Sequence, residues 1–215
     1  MHHRMISLCV VTLCYVQGTA TGQSPDPTNL LLDMKAGETR TQNGVTYTLH
    51  QKNAGVADSQ GWYLAHSTQG GFSIRFPAKF FDATTVITDK STGTEFRTNI
   101  LISGDPAHGD RYFAMCIGSS NSKLYDGADL SSLVDKLRQY SRKLDQHAFA
   151  HGEIRGVEYQ YVWANGTPIA ARMFKVDTQM CTLMVEFRDP PGEGIPDAVR
   201  KAFNSFEWRG QKGKP

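Results

Sequence analysis

From residue 71 onward, apolar and polar residues alternate with the period of two that marks strands burying one face in a sheet. Phe72, Ile74 and Phe76 alternate with Ser73 and Arg75 until Pro77 stops the run. Residues 96–102 and 111–117 repeat the pattern, separated by a loop of turn formers at 103–110. Three more strand-like runs follow at 153–163, 169–176 and 180–187. Asn165-Gly166 between the first two is a strong short hairpin signal, and Asp177-Thr178-Gln179 marks the next turn. Between these groups the period changes. Leu130, Leu133, Val134, Leu137, Tyr140 and Leu144 form one helical stripe, which predicts a helix over 130–144 with Asp129 as its N-cap. Pro196 opens a last helix with Val199, Ala202, Phe203 and Phe206 on one side.

Strands joined by short turns imply an antiparallel sheet. The last strands are apolar on both alternations: Cys181, Leu183, Val185 and Phe187 on one, Met180 and Met184 on the other. A sheet with two apolar faces needs cover on both. The fold class predicted is therefore α+β, an antiparallel meander with helices on both faces, an α/β/α sandwich.

The N-terminal part reads differently. Arg4, with His2 and His3, precedes an apolar run over 5–16, and Gly18-Thr19-Ala20 offers small residues for cleavage after residue 20. Residues 1–20 thus read as a signal peptide, which predicts a secreted or periplasmic protein. The run is about 12 residues, short of the ~20 that a membrane span requires, and no later stretch reaches that length. Residues 21–29, with Pro25 and Pro27, are expected to be a loose leader. Val45–His50, after Asn43-Gly44, and residues 62–64 are expected to be strands of a small N-terminal β addition. The predicted divisions are signal peptide 1–20, leader and β addition 21–70, main domain 71–208 and a polar tail 209–215.

Composition narrows the class of partner. The chain is 40% hydrophobic and 20% charged, with a formal net charge of +2. That balance excludes a nucleic-acid protein with a strongly basic face and an acidic disordered chain. Cys9 and Cys14 would leave with the signal, and Thr12-Leu13 before Cys14 is a poor lipidation context. Cys116 and Cys181 remain. In an oxidising compartment they form either a disulfide closing a long loop or two buried thiols that never meet; no partner two residues away makes a redox motif.

Gly71-Phe72-Ser73-Ile74-Arg75-Phe76-Pro77 resembles the opening strand of PsbP-like domains, and Ala202-Phe203-Asn204-Ser205-Phe206 resembles the close of their last helix. That superfamily includes the photosystem protein PsbP, a Ran-binding nuclear-import factor, the periplasmic protein DcrB and many exported proteins. The resemblance covers residues 71–208 and implies a PsbP-like fold and largely non-enzymatic roles. It carries no catalytic residue with it, since fold is not function.

Candidate chemistry is sparse. His147 and His151 have the spacing that puts two imidazoles on one helical face for a metal. Asp105, His108 and Asp110 gather three potential ligands in one loop, against the alternative of a polar turn. Gly118-Ser119-Ser120-Asn121-Ser122 is not a nucleophile elbow. Tyr159, Tyr161 and Trp163 share one face of a strand; they are core, or a platform for a peptide, glycan or apolar ligand. Asn165-Gly166-Thr167 is formally a glycosylation acceptor. No cofactor is implied. The expected function is a non-catalytic exported domain binding an envelope or secreted protein partner or a small apolar ligand, for example as an assembly or envelope factor. The alternatives are a hydrolase or metal-dependent enzyme whose site forms only in three dimensions, and an oligomer-forming module.

Overall fold

The alternating runs pair into two antiparallel sheets. The computed structural model describes residues 27–104, 107, 109–192 and 194–210. The expected signal peptide, the leader before residue 27, Asp105, His108 and the tail beyond residue 210 lie outside the described residues.

Among the described residues there are twelve strands: β1 (Thr39–Gln42), β2 (Val45–Ala54), β3 (Tyr63–His66), β4 (Phe72–Phe76), β5 (Phe80–Thr88), β6 (Glu95–Gly104), β7 (Arg111–Ser119), β8 (Ser141–His151), β9 (Ile154–Trp163), β10 (Pro168–Val176), β11 (Gln179–Glu186) and β12 (Glu207–Trp208). The helices are short: α1 (Pro27–Asp33), α2 (Leu130–Asp135) running into a 3₁₀ turn (Lys136–Tyr140), and α3 (Asp197–Asn204). Nine strands form one sheet in the order β1-β2-β5-β6-β7-β11-β10-β9-β8. The other three form a small sheet, β12-β4-β3. The large sheet is thus two meanders, β2-β5-β6-β7 and β8-β9-β10-β11, joined where β7 pairs with β11.

Two cores form because each face of this sheet is apolar. On one face, Tyr47, Leu49, Ile100, Met115, Tyr159 and Met184 pack with Leu31 and Met34 at α1, Val134 in α2 and Leu137 in the 3₁₀ turn. On the other, Leu101, Ala114, Phe174 and Leu183 pack with Phe72, Ile74 and Phe76 of the small sheet and with Val199, Ala202 and Phe203 of α3. The protein is mostly antiparallel sheet with few helices. On the second face the small sheet takes much of the role expected of a helix. Burying Phe203, about 3% exposed, is worth roughly 1.5–3 kcal/mol.

Several expectations change. The helix predicted over 130–144 stops at Asp135, tightens to 3₁₀ through Tyr140 and becomes strand β8 from Ser141. Pairing decides this. Residues 143–151 run in continuous register with 154–162, through a turn where Gly152 takes φ 58°. A ladder of that length outweighs the helical stripe, and Leu144 reaches the same core from a strand. Residues 27–29, expected in the leader, open α1, with Pro27 at the favoured first position. Strands from the expected N-terminal addition enter both sheets: β1 and β2 the large one, β3 the small one.

Cys116 and Cys181 sit directly opposite each other in the β7–β11 register, with Cα atoms 4.1 Å apart, and are joined as a disulfide with no solvent exposure. Gly156 lies opposite Phe149 on β8 and Phe174 on β10. A Cβ there would collide with the Met173 carbonyl and the Phe149 ring, so only glycine fits.

Candidate ligand cleft between the two sheets

The row expected as a binding platform is buried. Tyr159, Tyr161 and Trp163 are 1, 3 and 6% exposed in the core beneath α2 and the 3₁₀ turn, with Tyr159 stacked on Tyr161 and Tyr161 meeting Trp163 edge-on. Burial holds the Tyr159 hydroxyl far above its usual titration range. An apolar surface platform at these rings is therefore withdrawn, because it requires exposed faces.

The expected metal ligands do not converge either. His147 and His151 belong to β8, where four residues span about 13 Å rather than one helical turn. His147 Nε2 instead lies 2.9 Å from Glu158 Oε1. Asp110 Oδ1 accepts the Arg188 N–H at 3.0 Å, fixing the start of β7 against the end of β11. Among the described residues no three His, Cys, Asp or Glu side chains form a metal-holding group. Asn165 is exposed at the β9–β10 turn, and its Oδ1 accepts the Thr167 N–H at 3.0 Å.

A cleft of about 680 Å³ opens instead where the small sheet lifts away from the large one. Its floor follows from the register: Arg97 of β6 lies opposite Gly118 of β7, and Gln179 of β11, next to the Met180–Ile117 pair, packs beside Gly118. One row further in stand Asn99, Cys116 and Cys181, so the disulfide borders the floor. His66 at the end of β3, with Ser67, Thr68, Gln69 and Gly71 of the turn into β4, forms one wall, and Arg209 after β12 forms another. Gly118 leaves the middle open; a Cβ there would make only ordinary contact with Gln179.

Two buried amides give the floor its chemistry. Gln179 is 5% exposed, and its side-chain oxygen is buried without a hydrogen-bond partner. Such an acceptor costs about 1–3 kcal/mol until something donates to it. Asn99 is 1% exposed, and its Oδ1 accepts from Thr84 Oγ1 at 3.1 Å. The Asn99 NH₂ group is what that bond leaves for a ligand. At the rim, Arg97 lies 3.7 Å from Glu95 and Arg209 lies 3.3 Å from Glu207, both in exposed pairs. Exposed pairs of this kind are worth little, so a better-fitting anion can displace the carboxylate.

Asp82 holds the wall. It is fully buried on β5, where its carboxylate accepts from Thr68 N (2.9 Å), Thr68 Oγ1 (2.7 Å) and Ser67 Oγ (3.4 Å). Burial pushes its pKa above the ordinary carboxylate range, against the pull of the Thr68 hydrogen bonds and of nearby His50. Asp82, His50 and Thr84 have the residue types of a catalytic triad, but the proton order is wrong for one. Thr84 Oγ1 gives its proton to Asn99 Oδ1, so His50 Nε2, 2.8 Å away, must donate to Thr84 rather than act as its base.

A second polar cluster lies under α3. Glu158 and Arg172, opposite each other on β9 and β10, form a buried pair at 2.7 Å. The guanidinium lies between Phe149 (4.9 Å) and Phe203 (5.4 Å) and donates to Asn204 Oδ1 at 2.6 Å. Enclosed by its own partners, it ties α3 to the sheet.

The cleft residues Asn99, Gln179, Arg97 and Arg209 were not singled out from sequence. One signal was present: Asn99 alternates with apolar Ile100 yet shares its face with Leu101, which marks a polar side chain pointing into a core.

The fold and cleft define an antiparallel β-sheet domain with a polar recess between two sheets. No family model matches the chain, and no curated protein matches it. Among solved structures, its fold is similar to the solution structure of cyanobacterial PsbP (CyanoP) from Synechocystis sp. PCC 6803. The two share 12% identity at a TM-score of 0.46, over 74% of this chain and 96% of that chain. No helix among the described residues is long and apolar enough to cross a membrane.

Proposed function

We propose that this protein is a non-catalytic, exported PsbP-like domain that binds a small hydroxylated anion in the cleft between its two sheets. The buried, unpartnered oxygen of Gln179 carries the reading. A ligand whose hydroxyl donates to it and accepts from Asn99, and whose carboxylate meets Arg97 or Arg209, would satisfy the two buried amides of the floor and one arginine of the rim. The Cys116–Cys181 disulfide suits a secreted or periplasmic location, where such bonds persist. The signal-like pattern of residues 1–20 points the same way.

Thermal unfolding with D-glucuronate, glucose 6-phosphate and neutral glucose tests the proposal. Either anion at about a hundredfold excess over its Kd should add about 2.7 kcal/mol of stability. Glucose should add less. Gly118→Leu, which fills the floor at a position with room for a Cβ, should abolish the gain while leaving the unliganded protein folded. No stabilisation by either anion, or stabilisation that survives Gly118→Leu, would overturn the assignment.

A further inference from the structure

The nine-stranded sheet ends on very different strands. At one edge β1 has only four residues, short enough to discourage pairing with another chain. At the other, β8 has eleven, spanning about 36 Å, and among the described residues it pairs in the sheet with β9 alone. Its device against further pairing sits at the start, in a register shift between Ser141 and Lys143. From Asp145 to His151 the ladder is unbroken and contains neither Pro nor Gly. Along that stretch Asp145, His147, Ala148, Ala150 and His151 are all exposed.

We infer that this edge pairs with the β8 edge of a second copy, antiparallel, about a two-fold axis through Ala148. The stretch is self-complementary in that register. Asp145 falls opposite the partner's His151, twice over, and an imidazole facing a carboxylate is a favourable cross-strand pair. His147 falls opposite the partner's Phe149, also twice. The small side chains of Ala148 meet at the axis, while Ala150 meets the partner's Gln146. Each opposed pair has both members on the same face, so the apolar faces of the two sheets continue across the junction. Shifting the axis by one residue to His147 would set two imidazoles directly opposite each other, which disfavours that register. The contact is isologous and closed, so it produces a dimer and not a fibre.

Sedimentation equilibrium on the full chain, from low micromolar to several hundred micromolar, should show monomer passing to dimer. Ala148→Lys places two like charges opposite each other at the axis and should weaken the dimer about tenfold or more, without unfolding a position already exposed. Ala148→Cys should cross-link under mild oxidation, because directly opposed residues have Cα atoms about 4.5–5.5 Å apart, within disulfide range. Peptide mapping should then find the two introduced thiols joined to each other. Backbone amides of residues 145–151 should exchange more slowly in concentrated than in dilute protein. A chain that stays monomeric throughout overturns the inference. So does a dimer that is indifferent to Ala148→Lys and that Ala148→Cys fails to cross-link, since another surface would then be holding it.

Discussion

Opening the Cys116–Cys181 bond while leaving both sulfurs in place should remove about 4 kcal/mol of stability. The bond spans 65 residues of chain. Loop closure over that length removes roughly 14 cal/mol/K from the unfolded ensemble, which at 25 °C gives the stated figure. The folded state should change little on reduction. The pairs Met115–Thr182 and Ile117–Met180 on either side already hold β7 against β11, and two thiols occupy nearly the volume of the bridge. The assay is urea unfolding followed by tryptophan fluorescence, oxidised against reduced protein, with a thiol titration confirming each state. The oxidised form should also show the smaller m value, because its cross-linked unfolded chain exposes less surface. In a thermal scan of a domain this size, the same loss should lower Tm by about 8–16 °C. Replacing both cysteines by alanine should cost more than reduction, because a cavity is added to the lost cross-link. A difference below about 1 kcal/mol between oxidised and reduced protein would refute the reasoning, since the reduced unfolded chain would then be no freer than the bridged one.

Three other perturbations probe separate features. Arg172→Ala leaves the Glu158 carboxylate buried without its main partner and should cost about 3–5 kcal/mol in chemical denaturation; replacing both residues by leucine should cost less, and an equal or larger loss would show that the pair is net stabilising. For Asp82, burial raises the folded pKa above the unfolded value of about 4, so the native state holds the extra proton between them. Its contribution is therefore fully present below about pH 4 and is lost as pH rises through the folded pKa. The stability of wild type minus that of Asp82→Asn should accordingly fall as pH is raised above about 4 with His50 left in place; a difference independent of pH would remove Asp82 as the cause. Gly156→Ala should push Phe149 and the β10 backbone apart and destabilise by about 1–3 kcal/mol, measured by Tm, whereas Gly118→Ala, with room for its Cβ, should change little.

Where alternation was clean, the strands were legible in the sequence: β4, β6, β7, β9, β10 and β11 lie close to their expected positions. Strand β5 does not stand out in the sequence because its buried positions carry the polar residues Asp82, Thr84 and Thr85, and Asp82 and Thr84 find their partners in Thr68 and Asn99 on other segments of the chain. The start of strand β8 reads in the sequence as the end of a helix, because Leu137, Tyr140 and Leu144 fit a helical stripe and no local pattern announces the partner that turns Leu144 inward. The cleft was illegible for a similar reason. Its floor is assembled from three strands, and the register that places Gln179 beside Gly118 and Arg97 is set by packing across the sheet. The disulfide stood as one of two alternatives for the two lone cysteines, and only the β7–β11 pairing brings them face to face.

That pairing also says something about the order in which the protein folds. The β8–β11 half is built from neighbours in sequence and closes through short turns, whereas in the other half β2 reaches β5 across residues 55–79, which carry β3 and β4. The β7–β11 ladder is the seam between these halves, and its partners stand far apart in the chain. Within the large sheet the seam closes the longest stretch of chain, and the two thiols meet only when both halves have docked in the right register. A one-residue slip would turn one cysteine to the opposite face of the sheet and leave the bond unmade. Oxidation of this pair is a chemical record that the halves have joined correctly, legible by mass while the chain is still folding.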